Sequence, residues 1–463
     1  MKMPFSATKT PLPAVKARLT LLYFLQYAVW GVYLTSQGRY LTSVGLGAYI
    51  GKLFFVQGMA AFLLPAFMGM VADRLIPPRR LLVLCHSVAG TSLLLLGLTG
   101  MAAGADGPSA ACLMILYTLN AVCFIPTLSL TNSYTYALLE ADGQDPVKLF
   151  PGIRCWGTVG FVVLMWASDL FHWQDSALQY AVSGGLSLLL SAYLLTGLSE
   201  TVPGKGSKDI PGSKPESVPG KGGERVSSQR SQPGGRVFRT VLAEYGQLLR
   251  QAGMPVFFLC VLLMGAAGKL SDGFTNAYLS DFGHLPAYAH SFCVAHANLM
   301  VSLSQLSETV CILFIPFLLQ RLGIKRTLML ALVAWALRFG LLGVGNPGNG
   351  WPWLVLSMLV YGLAFNGFSI AGSLYVNRRA PASIRASAQG LFSMIGSGLG
   401  GALGALGAQG VVDHYVNGPK AAGADWPAIM QGWSHSWLWF AAYMLAVLLF
   451  FVLCFREHSD HCS

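Results

Sequence analysis

An all-α polytopic membrane protein, with twelve transmembrane helices in two six-helix bundles, is the fold class this sequence predicts, on three observations. Hydrophobic residues make up 54% of the chain and charged residues only 11%, with a mean hydropathy of +0.56, whereas soluble domains carry about 25% charged residues. The apolar residues come in runs of about 20, the length a helix needs to cross the hydrocarbon core. A polar divider near the middle of the 463 residues leaves six such runs on each side.

In order, the runs before the divider are 18–40, 48–71, 80–103, 109–133, 152–171 and 177–198, and those after it are 253–280, 295–320, 326–345, 351–376, 384–411 and 435–455. Each is expected to be helical, because a helix satisfies every backbone N–H and C=O within one segment. The predicted domains are an N-terminal bundle over 1–198, a basic cytoplasmic linker over 199–250 and a C-terminal bundle over 251–463. Lys2, Lys9, Lys16 and Arg18 lead into the first run with no small-residue cleavage site, so that run is expected to stay as a helix. The divider is rich in Gly, Pro, Ser, Lys and Arg and repeats VPGKG at Val202 and Val218. Such a segment cannot bury a core and reads as a solvated tether; its charge leaves contact with anionic lipid or a partner open.

Basic residues alternate between connections. Arg74, Arg79 and Arg80, then the linker, then Arg321, Lys325 and Arg326, then Arg378, Arg379 and Arg385 mark one side, which the positive-inside rule makes cytoplasmic together with both termini. The other connections hold Asp106, Asp169, Asp175, Asp281, His284 and Asp425. The connection with Glu140, Asp142 and Asp145 is acidic on the basic side, but acids weigh little in this rule. The net charge of +11 is therefore a matter of topology and not a nucleic-acid footprint. The nine cysteines include no CxxC and no metal spacing, and Cys85, Cys123, Cys260 and Cys311 fall inside apolar runs as small hydrophobes. With no nucleophile beside a base, no metal cluster and no phosphate loop, neither an enzyme nor a cofactor is expected. GSGLGGALGALG, from Gly396, reads as a small-residue packing face.

Polar groups inside the runs single out candidate functional residues. VSLSQLSETVCILFIPF, from Val301 to Phe317, carries Glu308 near its middle and Gln305 one turn earlier. A charge at the bilayer centre costs at least about 2.5 kcal/mol, so Glu308 is expected to face a protein-lined cavity and a partner. The alternative is an ion pair that only fixes packing. Arg154, Thr158 and Phe161, spaced i, i+4 and i+7 in FPGIRCWGTVGF, share one helical face. The first run offers Gln26, Tyr27, Trp30, Tyr33 and Gln37, and the fourth Asn120 and Thr127. Lys269 and Asp272, three apart, are able to pair, either as a charge pair neutralised for insertion or in a substrate or proton role. Arg338 is a candidate partner for Glu308 or a residue near the external boundary, with a structural role the simpler reading. Tyr361, Phe365 and Asn366 follow in the tenth run. Aromatic faces beside amides and a carboxylate suit a flat, hydrogen-bonding ligand.

GMVADR, with Gly69, Asp73 and Arg74, and QRLGIKR, from Gln320, place a basic turn at the same point of each six-helix unit, a parallel repeat. The first resembles the loop motif of the major facilitator superfamily. FLQYAVWGVYL, FPGIRCWGTVGF, HANLMVSLSQLSETVCILFIPF, AWALRFGLL, VYGLAFNGFSIAGS and IRASAQGLF together resemble the bacterial nucleoside:proton symporter family of that superfamily. The resemblance covers nearly the whole chain outside the linker and the 412–434 connection. It implies ligand roles for Arg154, Thr158 and Phe161, for Gln305 with a proton-coupling Glu308, and for Tyr361 and Phe365. Three positions depart: Asn366 replaces an aspartate, and Lys269 and Asp272 replace a glutamine and an asparagine.

The implied protein is a proton-coupled symporter of nucleosides or nucleoside-like solutes in the bacterial inner membrane, a functional monomer working by alternating access. Its partners would be the solute, the proton and the bilayer. Asp272 enters as a possible second proton-coupling acid and, with Lys269 and Asn366, as a substrate residue. Two alternatives stay open: another polar solute, such as a sugar, a cell-wall fragment or an organic anion drawn by Lys269 and Arg154, or a non-transporting sensor that signals through the linker.

Overall fold

The computed structural model describes residues 12–198, 246, 249–251, 253–380 and 385–455. The linker predicted at 199–250 lies almost wholly outside these residues, as do the side chains of Asp73 and Arg74. The first half comprises α1 (Leu12–Tyr33), α2 (Gln37–Ser43), α3 (Ile50–Arg74), α4 (Pro78–Ala103), α5 (Ala110–Ala141), α6 (Pro146–Leu170) and α7 (Leu178–Gly197). The second comprises α8 (Met254–Asp281), α9 (Phe292–Ala295), α10 (Ala297–Val344), α11 (Trp351–Arg379), α12 (Arg385–Ser393), α13 (Gly401–Val412), α14 (Gly418–Ala421) and α15 (Trp426–Cys454). A π-helical stretch, Met394–Gly400, joins α12 to α13.

Among the described residues, ten helical segments are long and apolar enough to cross a membrane. The ten differ from the expected twelve by one helix outside the ten and by one stretch that contains two of the expected runs. Helix α1, which holds Lys16, Arg18, Gln26 and the tyrosines at 23, 27 and 33, is less apolar and is not one of the ten. The runs expected at 295–320 and 326–345 are two helices that meet at a kink within the stretch Ala297–Val344, labelled α10 as a whole. Gly323 interrupts it at φ 75° and ψ 176°, a backbone conformation open only to glycine.

Within the halves, α1 packs on α6, α4 on α7, and α10 on α11 and α15. Between them, α3 meets α13 and the π-helical stretch, α6 meets α10, and α2 meets α8. The small residues expected to form a packing face do so here. A Cβ on Gly58 of α3 would sit 2.6 Å from the Ala402 nitrogen, and one on Gly265 of α8 2.1 Å from the Gly396 carbonyl oxygen. Only glycine allows either approach, and the gain is dispersion contact and close backbone packing rather than burial from water.

Polar side chains tie the halves together at the end that carries α2 and α9. Arg39 pairs with Asp175 at 2.5 Å and donates to the Val294 carbonyl at 3.1 Å. Gln409 accepts from the Gly51 N–H at 2.6 Å and donates to the Gly47 carbonyl at 3.1 Å. Asp169, expected in a solvated connection, is instead fully buried at the end of α6. Its Oδ2 lies 2.6 Å from His296 Nδ1, and its Oδ1 accepts from Gln174 Nε2 at 2.9 Å and from the Asn298 N–H at 3.2 Å. It therefore satisfies an open N–H in the first turn of α10, a helix of the other half. Asp281 is buried too, held by Lys420 at 2.5 Å and Trp433 Nε1 at 2.6 Å. Acids at helix ends were read as loop charges because local sequence does not show what another helix brings to them.

Candidate functional site

Helices α1, α6, α8, α10 and α11 bring most of the predicted residues to one level between the halves. Glu308 is partly exposed although it sits inside α10. It has two electrostatic neighbours, Arg154 of α6 in the first half and Asp272 of α8 in its own half. Arg154 is held above the Tyr27 ring, guanidinium carbon 4.1 Å from the centroid. Thr158 is partly exposed one turn on, whereas Phe161 is only 6% exposed and belongs to the packed core.

On α11, Tyr361 and Phe365 lie parallel, centroids 5.7 Å apart and planes at 8°. Trp335 of α10 meets Tyr361 edge-on at 5.6 Å, and Gln305 is within hydrogen-bonding reach of the Tyr361 hydroxyl. Asn366 is 5% exposed, and its Nδ2 donates to the backbone carbonyl of Glu308 at 2.7 Å. The amide thus joins α11 to the backbone that carries the carboxylate.

Two expected pairings do not form. Lys269 and Asp272 make no ion pair among the described residues; they interact only at longer range. The Lys269 ammonium instead stands 5.5 Å from the ring centroid of Phe54 on α3, across the boundary between the halves, and Asp272 divides its field between Lys269 and Arg338. Nor does Arg338 pair with Glu308 among the described residues. It is 1% exposed; Nη1 donates to Ser304 Oγ at 3.2 Å and to the Ser357 carbonyl at 2.7 Å, and Nη2 to Ser271 Oγ at 2.6 Å. Its guanidinium also caps the Tyr361 ring at 4.6 Å. Arg338 therefore joins α8, α10 and α11, which is the structural role.

The polar residues of the first run divide. Gln26 donates to Thr127 at 2.8 Å, Tyr33 to Asn120 at 3.3 Å and Gln37 to Tyr117 at 3.2 Å, all inside the first half. Tyr27 instead faces the site. Its spacing from Arg154 in the chain carries no signal of their contact, and neither does Phe54, an unremarkable aromatic in an apolar run. Among the described residues, no group of three or more His, Cys, Asp or Glu is placed to hold a metal ion.

Chemically, the site offers a partly exposed carboxylate between charges of both halves, a parallel aromatic pair, and amide and hydroxyl groups beside them. A carboxylate so placed can exchange a proton, and such a pair can cover a flat ring.

A family model described as nucleoside H+ symporter matches residues 14–211 and 238–460. The xanthosine permease of Escherichia coli (strain K12) is 37% identical over 451 residues, 96% of this chain and 97% of that protein. Nucleoside permease NupG of the same strain is 36% identical over 447 residues, 96% of each chain. The crystal structure of nucleoside transporter NupG superposes with a TM-score of 0.79 at 34% identity, covering 96% of this chain and 100% of that one.

Proposed function

The chain belongs to the nucleoside H+ symporter family, and from that premise we propose how its mid-span site couples a nucleoside to a proton. The protein is a proton-coupled nucleoside transporter of the major facilitator fold, not an enzyme. Its two halves rock about the site, and Glu308 carries the proton. The observation behind this reading is that Glu308 is partly exposed in mid-span and faces a guanidinium of the opposite half and a carboxylate of its own. Movement of one half against the other changes the charge that Glu308 faces, which is what links protonation to the switch.

Tyr361 and Phe365 hold the base, while Gln305, Thr158 and Arg154 meet its edge and the ribose. Asn366 positions Glu308 through its backbone, and Phe161 backs the cavity wall. Asp272, in the field of Lys269 and Arg338, is the second candidate to carry a proton. The end tied by Asp169 and Arg39 is the periplasmic one, the turn with Arg321, Lys325 and Arg326 is cytoplasmic, and the transporter works as a monomer in a bacterial inner membrane with both termini inside.

Uptake by reconstituted protein tests the central claim. Glu308→Gln is expected to lose uphill accumulation of uridine under an inward proton gradient while keeping exchange of internal for external uridine. Gradient-driven accumulation at the wild-type rate would remove Glu308 from the coupling step.

A further inference from the structure

The cations of the site are not equivalent. Arg338 spends its terminal nitrogens on Ser271, Ser304 and Ser357, and Arg154 lies on Tyr27. Lys269 forms neither an ion pair nor a hydrogen bond among the described residues; its aliphatic stem passes Gly401 and its ammonium stands over the Phe54 ring. A lysine retained only to neutralise an acid for insertion would be paired with Asp272, three residues on. It is directed instead towards the opposite half, where a ligand between the halves must pass.

The charges around Lys269 are also unbalanced. Arg154, Lys269 and Arg338 face Asp272 and Glu308 in one linked set, so the site holds three cations against two carboxylates. Basic side chains thus outnumber acidic ones by one. An unpaired ammonium in a partly desolvated site is costly, and a neutral ligand would leave that cost standing while removing water. A ligand with one negative charge offsets it.

We infer that Lys269 sets the specificity of the site and selects nucleosides whose base is itself an acid, bound as the base anion. This rests on the nucleoside reading above. The charge belongs on a ring rather than a phosphate. A phosphate is best held by several converging donors or a guanidinium fork, whereas here the Arg154 guanidinium is stacked on Tyr27 and the Lys269 ammonium stands against Phe54, in a site whose other feature is the stacked pair Tyr361 and Phe365. A flat, delocalised anion fits between such surfaces.

The test is proton-driven uptake into proteoliposomes of xanthosine, whose dioxopurine ionises readily near neutral pH, and of inosine, a neutral purine nucleoside, with xanthosine 5′-monophosphate as competitor. Wild type should show a KM for xanthosine about tenfold or more below that for inosine, the scale of a charge-assisted hydrogen bond. Lys269→Gln should reverse the order, raising the xanthosine KM and lowering the inosine KM, while Lys269→Arg keeps the xanthosine preference and guards against a folding defect. Equal KM values in the wild type, or an unchanged ratio in Lys269→Gln, would overturn the inference and leave the family function intact. Stronger competition by the monophosphate than by xanthosine would overturn it by assigning the cation to phosphate. Uptake of neither nucleoside, nor of uridine, would overturn the nucleoside reading and this inference with it.

Discussion

The end bearing α2 and α9 and the site at mid-span are both rich in charge, yet they are built in opposite ways. At that end, the buried Asp169 and Asp281 are each held by at least one nitrogen of another element, at 2.5–2.6 Å. At mid-span, Glu308 and Lys269 have no ion-pair partner among the described residues, and their charges act on neighbours at a distance. Paired buried charges resist separation, because parting them leaves each uncompensated; they hold a conformation. Unpaired ones keep their capacity for a proton or a ligand. A charge inside a membrane protein is thus sorted into structure or function by what another helix brings to it, more than by its depth.

Glu308→Gln, with complete loss of gradient-driven uptake, is the largest effect expected on the unpaired side. On the paired side it is Asp169→Ala. Removing this carboxylate strands His296, Gln174 and the Asn298 N–H, and loss of a buried, hydrogen-bonded charge costs about 3 kcal/mol. The melting temperature should fall. A cysteine placed at Thr35, whose hydroxyl now lies 3.4 Å from Asn298 Oδ1, should react faster with a membrane-impermeant maleimide. Unaltered labelling together with unaltered melting would mean that Asp169 does not close this end.

Asn366→Ala is expected to have a smaller effect. It deletes one hydrogen bond to the Glu308 carbonyl, worth about 1 kcal/mol, and loosens α11 against the backbone that carries Glu308. Gradient-driven uptake should fall severalfold, with exchange less affected. An equal fall in both would make Asn366 a ligand residue rather than a positioning one.

The sequence displays these regions unequally. Apolar runs of bilayer length and the carboxylate within one of them follow from local composition, so the helices and Glu308 were legible. The turn spacing of Tyr361 and Phe365 likewise marks a shared face. Partners were not legible. His296 is 127 residues from Asp169, and the partner of Asn366 is a backbone carbonyl, which any residue supplies. The i, i+3 spacing of Lys269 and Asp272 promised a pair, but spacing along one helix states only what is possible; the Lys269 ammonium stands over Phe54 of another helix, and Asp272 feels Arg338 as well as Lys269. The turn of the basic motif was legible at Gly323, whose non-helical backbone separates the helices of the two runs.

Phe365→Leu draws the boundary between the two kinds of region most finely, because Phe365 touches neither the end bearing α2 and α9 nor the charges. It is partly exposed and lies parallel to Tyr361, so leucine keeps most of the apolar area and loses the flat face. Aromatic stacking of this kind is worth about 0.5–1.5 kcal/mol, a rise of about two- to tenfold in nucleoside KM. Melting temperature and the proton requirement should stay as they are, since no paired charge is disturbed. A drop in stability of the size expected for Asp169→Ala would place Phe365 in the packing of α11 and remove it from the binding surface; a KM change with stability intact would show that the stacked pair is reserved for the ligand, as the unpaired charges beside it are.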